Sequence, residues 1–219
     1  MRRIRIVVAY DGTNYCGWQI QPNGITIEEI LNRQISKLTG EDIRIIGASR
    51  TDSGVHALGN VAVFDTESRI PGDRFAYALN QKMPEDIVIV RSDEVQIDWH
   101  PRYQNEISKT YEYHIYNAKV RNPLKNRYST FVSFDLDVEK MRQGAKYILG
   151  EHDFASFCNV RTNAKDTVRT VHEITITEIP MDKFRASDYG QENSNLENEK
   201  EIVIRVTGNG FLYNMVRII

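Results

Sequence analysis

Residues 26–40, TIEEILNRQISKLTG, carry their apolar side chains at helical spacing and therefore predict one amphipathic helix. Thr26 followed by Glu29 has the form of a capping box, in which each side chain bonds the backbone N–H of the other residue. Gly40 is placed to end the helix. Because only one face of this helix is apolar, it must cover another element, and the neighbouring segments decide which.

Short runs rich in β-branched residues surround this helix and predict strands. The predicted strands cover residues 3–10, 43–48, 60–65, 87–90, 110–116, 167–178 and 201–206. Two further helices are predicted from Pro71 to Leu79 and from Asp137 to Gly150. Because the strands are short and lack regular crossover helices, we expect an α+β fold with a mainly antiparallel mixed sheet covered by helices, rather than a doubly wound parallel sheet.

The order of predicted elements is similar in the two halves of the chain, with a break near residues 98–108. This pattern predicts two α+β subdomains, residues 1–105 and residues 106–219. The chain ends on the apolar, helical pattern MVRII of residues 215–219. Since a native terminus rarely stops inside a core-facing segment, we expect the second subdomain to be truncated at Ile219.

The composition is ordinary for a soluble globular protein, with 219 residues, 41% hydrophobic and 26% charged. Cys16 and Cys158 lack CxxC spacing and the five histidines lack ligand spacing, so we predict no structural metal. The N-terminus begins a strand at once, without a signal-type apolar segment, and no apolar run is long enough to span a membrane. We therefore expect a cytoplasmic protein without a membrane partner.

The formal net charge is -2, so any site for a polyanion must be local. Acidic residues are concentrated in residues 191–201, at a distance in sequence from the basic clusters. This segregation of charge permits one positive face on an acidic molecule. The basic residues fall into three clusters: Arg2, Arg3 and Arg5; Lys119, Arg121, Lys125 and Arg127; and Arg161, Lys165 and Arg169.

A loop between two predicted strands, Arg50-Thr51-Asp52-Ser53-Gly54-Val55-His56-Ala57, concentrates a guanidinium, a carboxylate and an imidazole. Gly54 can adopt a positive φ that turns the backbone sharply beneath the Asp52 carboxylate. An isolated Asp-Ser-Gly is usually an Asx turn, but Arg50 can favour the ionised carboxylate and bind phosphate. His56 is interpreted as a structural histidine in preference to a base.

Two later segments add an aromatic residue and a cation. Lys109-Thr110-Tyr111 opens a strand with the mixture of side chains that stacks on bases and contacts phosphates, although a strand tyrosine that covers the core is the ordinary alternative. Gly208 and Gly210 precede a predicted helix that carries Arg217, and a lone helix arginine is normally solvated. Only the combination of these segments indicates a function.

In combination the segments resemble the successive motifs of the TruA family of tRNA pseudouridine synthases, in matching order across essentially the whole chain. Arg-Thr-Asp-x-Gly-Val-His is highly specific, whereas Lys-Thr-Tyr alone is weak. Members of the family continue past the position of Ile219 with a further strand-forming segment. The motifs are Tyr10-Asp11-Gly12-Thr13, Gly17-Trp18-Gln19, Arg50 to Ala57, Lys109-Thr110-Tyr111, Gly210-Phe211-Leu212 and Met215-Val216-Arg217.

The resemblance implies a homodimeric enzyme that isomerises uridines at positions 38–40 of the tRNA anticodon stem-loop without a cofactor. It implies that Asp52 is the nucleophile, that Tyr111 stacks on the uracil and can move a proton, and that Arg217 keeps Asp52 ionised. Arg50 then supports the nucleotide that has left its stack. We expect two similar, ferredoxin-like subdomains with the active cleft between them. Trp18 and Gln19 are interpreted as packing residues.

Two alternatives remain from the residues themselves. The first is a non-catalytic RNA-binding module, in which Tyr111 and the basic clusters matter but Asp52 does not. The second is an aspartic protease, because Asp52-Ser53-Gly54 matches its short signature. A protease needs two such carboxylates, and a single copy would require a homodimer of small all-β protomers.

Overall fold

The computed structural model describes residues 1–103, 108–159, 166–180 and 199–219. The chain divides into unit 1, Met1–Ile107, and unit 2, Ser108–Ile219. The subdomain boundary predicted between residues 105 and 106 lies outside the described residues.

Unit 1 has the element order β-α-β-β-α-β. Its sheet order is β2-β3-β1-β4 and every neighbouring pair is antiparallel, which is the ferredoxin-like arrangement. The elements are β1 (Arg2–Tyr10), α1 (Ile27–Thr39), β2 (Ile46–Gly47), β3 (Ala57–Thr66), α2 (Phe75–Asn80) and β4 (Ile87–Val95).

The two faces of β1 have opposite characters because side chains alternate along a strand. Ile4, Ile6 and Val8 are buried in the core of unit 1, where they join apolar side chains of α1 and α2. On the other face, Arg3 lies opposite Asp65 of β3 and donates two hydrogen bonds of 2.7 Å to its carboxylate. The helices therefore cover one face of the sheet, as predicted.

Helix α1 begins and ends where the sequence predicts. The Thr26 hydroxyl accepts a hydrogen bond of 3.3 Å from the Glu29 N–H, which satisfies one free donor of the first turn. Gly40 ends the helix in the left-handed conformation, with φ 77°.

The strand predicted over residues 43–48 is wrong for its first half. The N–H of Ile43 donates to Ser36 Oγ at 2.9 Å, and the N–H of Ile45 donates to Asn32 Oδ1 at 2.9 Å. Both isoleucines are buried, so their apolar side chains gave a strand pattern to a segment that is bonded to α1. Only residues 46 and 47 pair with β3.

Unit 2 is a mixed, mainly antiparallel sheet of order β6-β5-β9-β8-β7, in which β5 and β6 alone are parallel among the described strands. This arrangement confirms the α+β class. The strand order differs from that of unit 1, because the last strand lies at the centre of the sheet. The elements are β5 (Lys109–Asn117), β6 (Thr130–Val132), α3 (Val138–Ala145), β7 (Gly150–Asp153), β8 (Val168–Pro180), β9 (Lys200–Gly208) and α4 (Met215–Ile218).

Helix α3 is shorter than predicted. Asp137 caps it by accepting a hydrogen bond of 3.0 Å from the Lys140 N–H, but the helix ends at Ala145 and Leu149 is 39% exposed. Gly150, with φ 100°, begins β7 instead of ending the helix. In the described part of the chain, no helix has the length and apolar character required to cross a membrane.

The capping contact of α1 gives a stability prediction. Thr26→Ala removes the hydroxyl that accepts from the Glu29 N–H, so the free energy of unfolding should fall by about 1 kcal/mol. Thr26→Ser keeps the acceptor and serves as the matched control. Urea unfolding followed by circular dichroism measures both, and equal midpoints for Thr26→Ala and the natural chain would contradict the assignment of the cap.

Candidate active site

Arg50 and Asp52 lie on the loop of residues 48–56 between β2 and β3, and both side chains are exposed. Hydrogen bonds fix the first part of this loop to β3. The Ala48 N–H donates to the Val61 carbonyl at 2.8 Å, and the Asn60 side-chain amide donates to the Ser49 carbonyl at 3.0 Å. We call residues 48–56 the Asp52 loop.

Residues 10–18 form a platform for the Asp52 loop. The Trp18 N–H donates to the Thr51 carbonyl at 3.0 Å, and the Tyr10 hydroxyl lies 2.8 Å from Thr51 Oγ1. On the other side of Asp52, the Gly54 N–H and the Ser53 hydroxyl donate to the Tyr15 carbonyl at 3.3 and 3.2 Å. The backbone is therefore held immediately before and immediately after Asp52.

Glycine is required where this platform approaches the loop. A Cβ on Gly12 would lie 2.1 Å from the Val55 carbonyl oxygen, and a Cβ on Gly17 would lie 2.6 Å from the Thr51 carbonyl oxygen. A Cβ on Gly47 would lie 2.6 Å from the Trp18 indole nitrogen. Real Cβ atoms essentially never approach other atoms so closely, so the separate sequence motifs pack as one structure.

Gly54 has φ 77°, which confirms the predicted positive φ in the turn beneath Asp52. The turn is closed by the Val55 N–H, which donates to the Asp52 carbonyl at 3.1 Å. Trp18 is 1% exposed, which confirms its packing role, but Gln19 is exposed and its packing interpretation is wrong.

His56 joins the end of the loop to the turn after β1. Its Nδ1 accepts a hydrogen bond of 3.1 Å from the Gly12 N–H and lies 3.0 Å from Asp11 Oδ1. These contacts support the structural interpretation of this histidine over the interpretation as a base.

The first basic cluster does not form the expected phosphate site. Arg2 pairs with Glu94, Arg3 with Asp65 and Arg5 with Asp93. The hydrogen bonds that Arg3 donates to Asp65 raise the pKa of Arg3, as expected for a guanidinium whose charge is already matched. The sequence interpretation failed here because cross-strand partners cannot be identified without the register.

Several side chains of the other two basic clusters also contact groups of the protein itself. Lys119 lies 3.1 Å from Asp135 and Lys125 lies 2.8 Å from Glu201. Arg169 donates to the backbone carbonyls of residues 166 and 168. Arg161 and Lys165 lie outside the described residues.

Tyr111 lies near the start of β5, opposite Val206 of β9, and is half-buried. Its ring packs edge-to-face against Phe211, with 5.2 Å between the ring centroids. Phe211 packs on the buried cluster that includes Val206 and Met215, so the aromatic pair fixes the orientation of the tyrosine ring.

Arg217 lies on α4, which packs against β5 within unit 2. The helix covers Met215–Ile218 and begins after Asn214, which is in the left-handed conformation with φ 62°. Met215 anchors it in the core and the Arg217 side chain is exposed. Unit 2 therefore carries Tyr111 and Arg217, and unit 1 carries Asp52 and Arg50. The convergence of all four residues stays a prediction.

Arg102 belongs to the site but was missed from the sequence. Its Nε donates to the Gly47 carbonyl at 2.7 Å, which fixes the backbone just before the Asp52 loop. The sequence around Arg102 gives no sign of this contact. The glycines of the motifs are the only sequence feature that indicates close packing of the backbone here. Among the described residues, no cluster of three or more His, Cys, Asp or Glu side chains could hold a metal ion, and the absence of a cofactor stays a prediction.

The platform gives a second prediction. The positive φ alone should cost roughly 1–2 kcal/mol of stability in both Gly17→Ala and Gly40→Ala. Only Gly17→Ala also drives a methyl group into the Thr51 carbonyl, since nothing lies within 4 Å of a Cβ on Gly40. We expect the Gly54 and Val55 amides to exchange about tenfold faster in Gly17→Ala alone. Equal exchange of these amides in both variants, measured by NMR, would contradict the platform.

The family model described as tRNA pseudouridine synthase matches residues 6–104 and 145–219, which include Asp52 and Arg217 but not Tyr111. Similar proteins include the tRNA pseudouridine synthase A of Acetivibrio thermocellus, 46% identical over 220 residues, and that of Ruminiclostridium cellulolyticum, 45% identical over 219 residues. The tRNA pseudouridine synthase A of Thermoanaerobacter sp. is 43% identical over 219 residues. Each alignment covers 100% of this chain and 82% of the relative. The chain belongs to the tRNA pseudouridine synthase family.

Proposed function

We propose that this chain isomerises uridine to pseudouridine in tRNA and that Asp52 is the nucleophile. The chain belongs to the family, and the observation that carries this proposal is its Asp52 loop, in which hydrogen bonds hold the residues on both sides of an exposed carboxylate. A carboxylate whose backbone is fixed in advance is suited to attack, because little ordering remains for the reacting complex.

The reaction requires no redox change. The N1–C1′ glycosidic bond breaks, the base rotates, and a new bond forms between C5 and C1′. The C5 proton then leaves and N1 gains a proton, so atoms and electrons balance without a cofactor. Asp52 can form a covalent intermediate through either the sugar or the base, in the manner of carboxylate nucleophiles.

We assign Tyr111 and Arg217 to the same active site. The packing of Tyr111 on Phe211 suits a ring that stacks on the uracil and moves a proton. Arg217 supplies the cation that favours the ionised form of Asp52, because a neighbouring positive charge lowers the pKa of a carboxyl.

Arg50 is proposed to bind the substrate beside the nucleophile. It is exposed two residues before Asp52 on the same fixed loop, where a guanidinium can contact a phosphate of the displaced nucleotide. A uridine in a helical stem must leave its stack before Asp52 can reach it, at a cost of a few kcal/mol. We also propose the uridines at positions 38–40 as targets, a homodimer as the active form and the cytoplasm as its location.

The aspartic protease is no longer a candidate. The family is that of tRNA pseudouridine synthases, and unit 1 contains the 13-residue helix α1, unlike a small all-β protease protomer. The non-catalytic RNA-binding module is the remaining competitor, and the role of Asp52 separates it from the enzyme.

Asp52→Asn is expected to lower the rate of pseudouridine formation by a factor on the order of a thousand or more, because the amide is a poor nucleophile. Release of tritium from C5-labelled uridine in an unmodified tRNA transcript measures the reaction, and mapping of the product locates the modified positions. Asp42→Asn makes the same change at an exposed carboxylate of unit 1 and is the control.

If Asp52→Asn formed pseudouridine at the wild-type rate, the assignment of Asp52 as the nucleophile would be wrong. Tight binding of tRNA by the natural chain, without any product, would instead favour the non-catalytic module.

Arg217→Ala is expected to shift the acid limb of kcat/KM to higher pH. In the proposed site the Arg217 cation favours the ionised form of Asp52, so without this cation the reactive carboxylate is lost earlier as the pH falls. Arg217→Lys should restore much of the profile. Arg142→Ala removes a cation of α3 that pairs with Glu178 and is the control. An unshifted acid limb in Arg217→Ala would exclude this role.

A further inference from the structure

Unit 1 contains a groove that is separate from the Asp52 loop. It lies between α1 and the segment that follows α2, and the buried Tyr15 contributes to its lining. We call it the Tyr15 groove, and its polar and flexible lining residues are Asn14, Arg33, Gln34, Lys82 and Met83.

Two cations line the Tyr15 groove without a carboxylate partner. Arg33 lies on α1 and Lys82 follows α2, and both are exposed. Within the described parts of the chain, neither is within 4.0 Å of an acidic oxygen, whereas Arg3 and Arg5 of the same unit are both ion-paired. The groove therefore has a net positive lining on a chain whose formal charge is -2.

The Tyr15 hydroxyl adds no negative charge to the groove. It donates a hydrogen bond of 2.6 Å to Asp86 Oδ1, and Asp86 does not line the groove. Burial, together with this hydrogen bond, raises the pKa of Tyr15, so the hydroxyl stays protonated at neutral pH.

The rest of the lining is apolar or amide-bearing. Ile30 is buried, Met83 and Pro84 are half-buried, and the amides of Asn14 and Gln34 can donate and accept hydrogen bonds. A nucleotide can use both parts of this lining, because its phosphate can contact the cations while its sugar and base contact the apolar surface. A small inorganic anion would contact only the cations.

Tyr15 connects the groove to the proposed nucleophile. Tyr15 lines the groove, and its carbonyl accepts the hydrogen bonds from Ser53 and Gly54 that hold the Asp52 loop. A chain of nucleotides seated in the groove would therefore contact the residue that supports the turn beneath Asp52.

We propose that the Tyr15 groove binds a phosphodiester segment of the RNA substrate, with Arg33 and Lys82 contacting its phosphates. This inference rests on the proposed function for the identity of the substrate. The groove adds binding energy equally to the ground state and the transition state, so it governs affinity for RNA and leaves the chemical step to Asp52, Tyr111 and Arg217.

The first experiment removes both cations as Arg33→Gln with Lys82→Gln. We expect the Kd for a tRNA transcript, measured by fluorescence anisotropy, to rise about tenfold, and kcat at saturating tRNA to change less than about twofold. The plot of log Kd against log salt should become shallower by roughly 1.5, as expected when two phosphate contacts are lost. Arg44→Gln with Arg69→Gln removes two exposed cations of unit 1 that do not line the groove and is the control.

A second pair of variants tests the position of the RNA. Ile25 lines the groove and is 55% exposed, whereas Ile20 is 51% exposed and does not line it. Ile25→Glu should repel a phosphate and weaken tRNA binding severalfold, while Ile20→Glu should leave Kd nearly unchanged. Both side chains are exposed, so neither change removes core packing.

The outcomes separate this inference from the proposed function, because binding is measured independently of turnover and can be repeated in Asp52→Asn. An unchanged Kd and salt slope in the Arg33 and Lys82 variant would overturn the groove proposal and leave the nucleophile untouched. An equal loss in the Arg44 and Arg69 control would also overturn it. If the Arg33 and Lys82 variant bound the tRNA transcript normally and lost affinity only for free uridine monophosphate, the occupant would be a small nucleotide and the RNA assignment would be wrong.

Discussion

The proposed chemistry depends on one close approach between two stretches of backbone. Residues 12–17 lie so near residues 51–55 that a Cβ at Gly12 or Gly17 would overlap a carbonyl oxygen of the loop. Close packing without side chains lets backbone N–H and C=O groups bond directly across the gap. The Asp52 carboxylate is exposed, and the backbone hydrogen bonds on either side of it hold the loop that carries it.

The residues proposed for the reaction are divided between the two units. Unit 1 supplies the fixed loop, its platform and the Tyr15 groove, all of which are built on a ferredoxin-like sheet with helices on one face. Unit 2 supplies an oriented aromatic ring on β5 and a cation on α4, which are held by a second, smaller apolar cluster. The basic side chains along β1 belong to neither task, since they link neighbouring strands through ion pairs.

Features with a local cause could be predicted from the sequence. The Thr26 cap, the left-handed Gly40 and the positive φ of Gly54 depend on the preferences of single residues, and all three are present. The strands predicted over residues 3–10 and 110–116 also match β1 and β5 nearly to the residue.

Features that depend on distant partners could not be predicted. Ile43 and Ile45 have the apolar spacing of a strand, but side chains of α1 satisfy their N–H groups. The ion pairs of Arg3 and Arg5 required knowledge of the strand register. Arg102 lies 55 residues from the carbonyl that it contacts, and nothing in its local sequence indicates that role.

The central position of β9 in unit 2 has a consequence for folding during synthesis. β9 pairs with both β5 and β8, and residue 109 lies opposite residue 208. The sheet of unit 1 uses only strands that end by Val95, so it can close while the ribosome is still translating the rest. The nascent β5, with its apolar face, must wait for almost the whole of unit 2 before its main partner emerges. Such a delayed, non-local pairing is a point of exposure to aggregation and to chaperones.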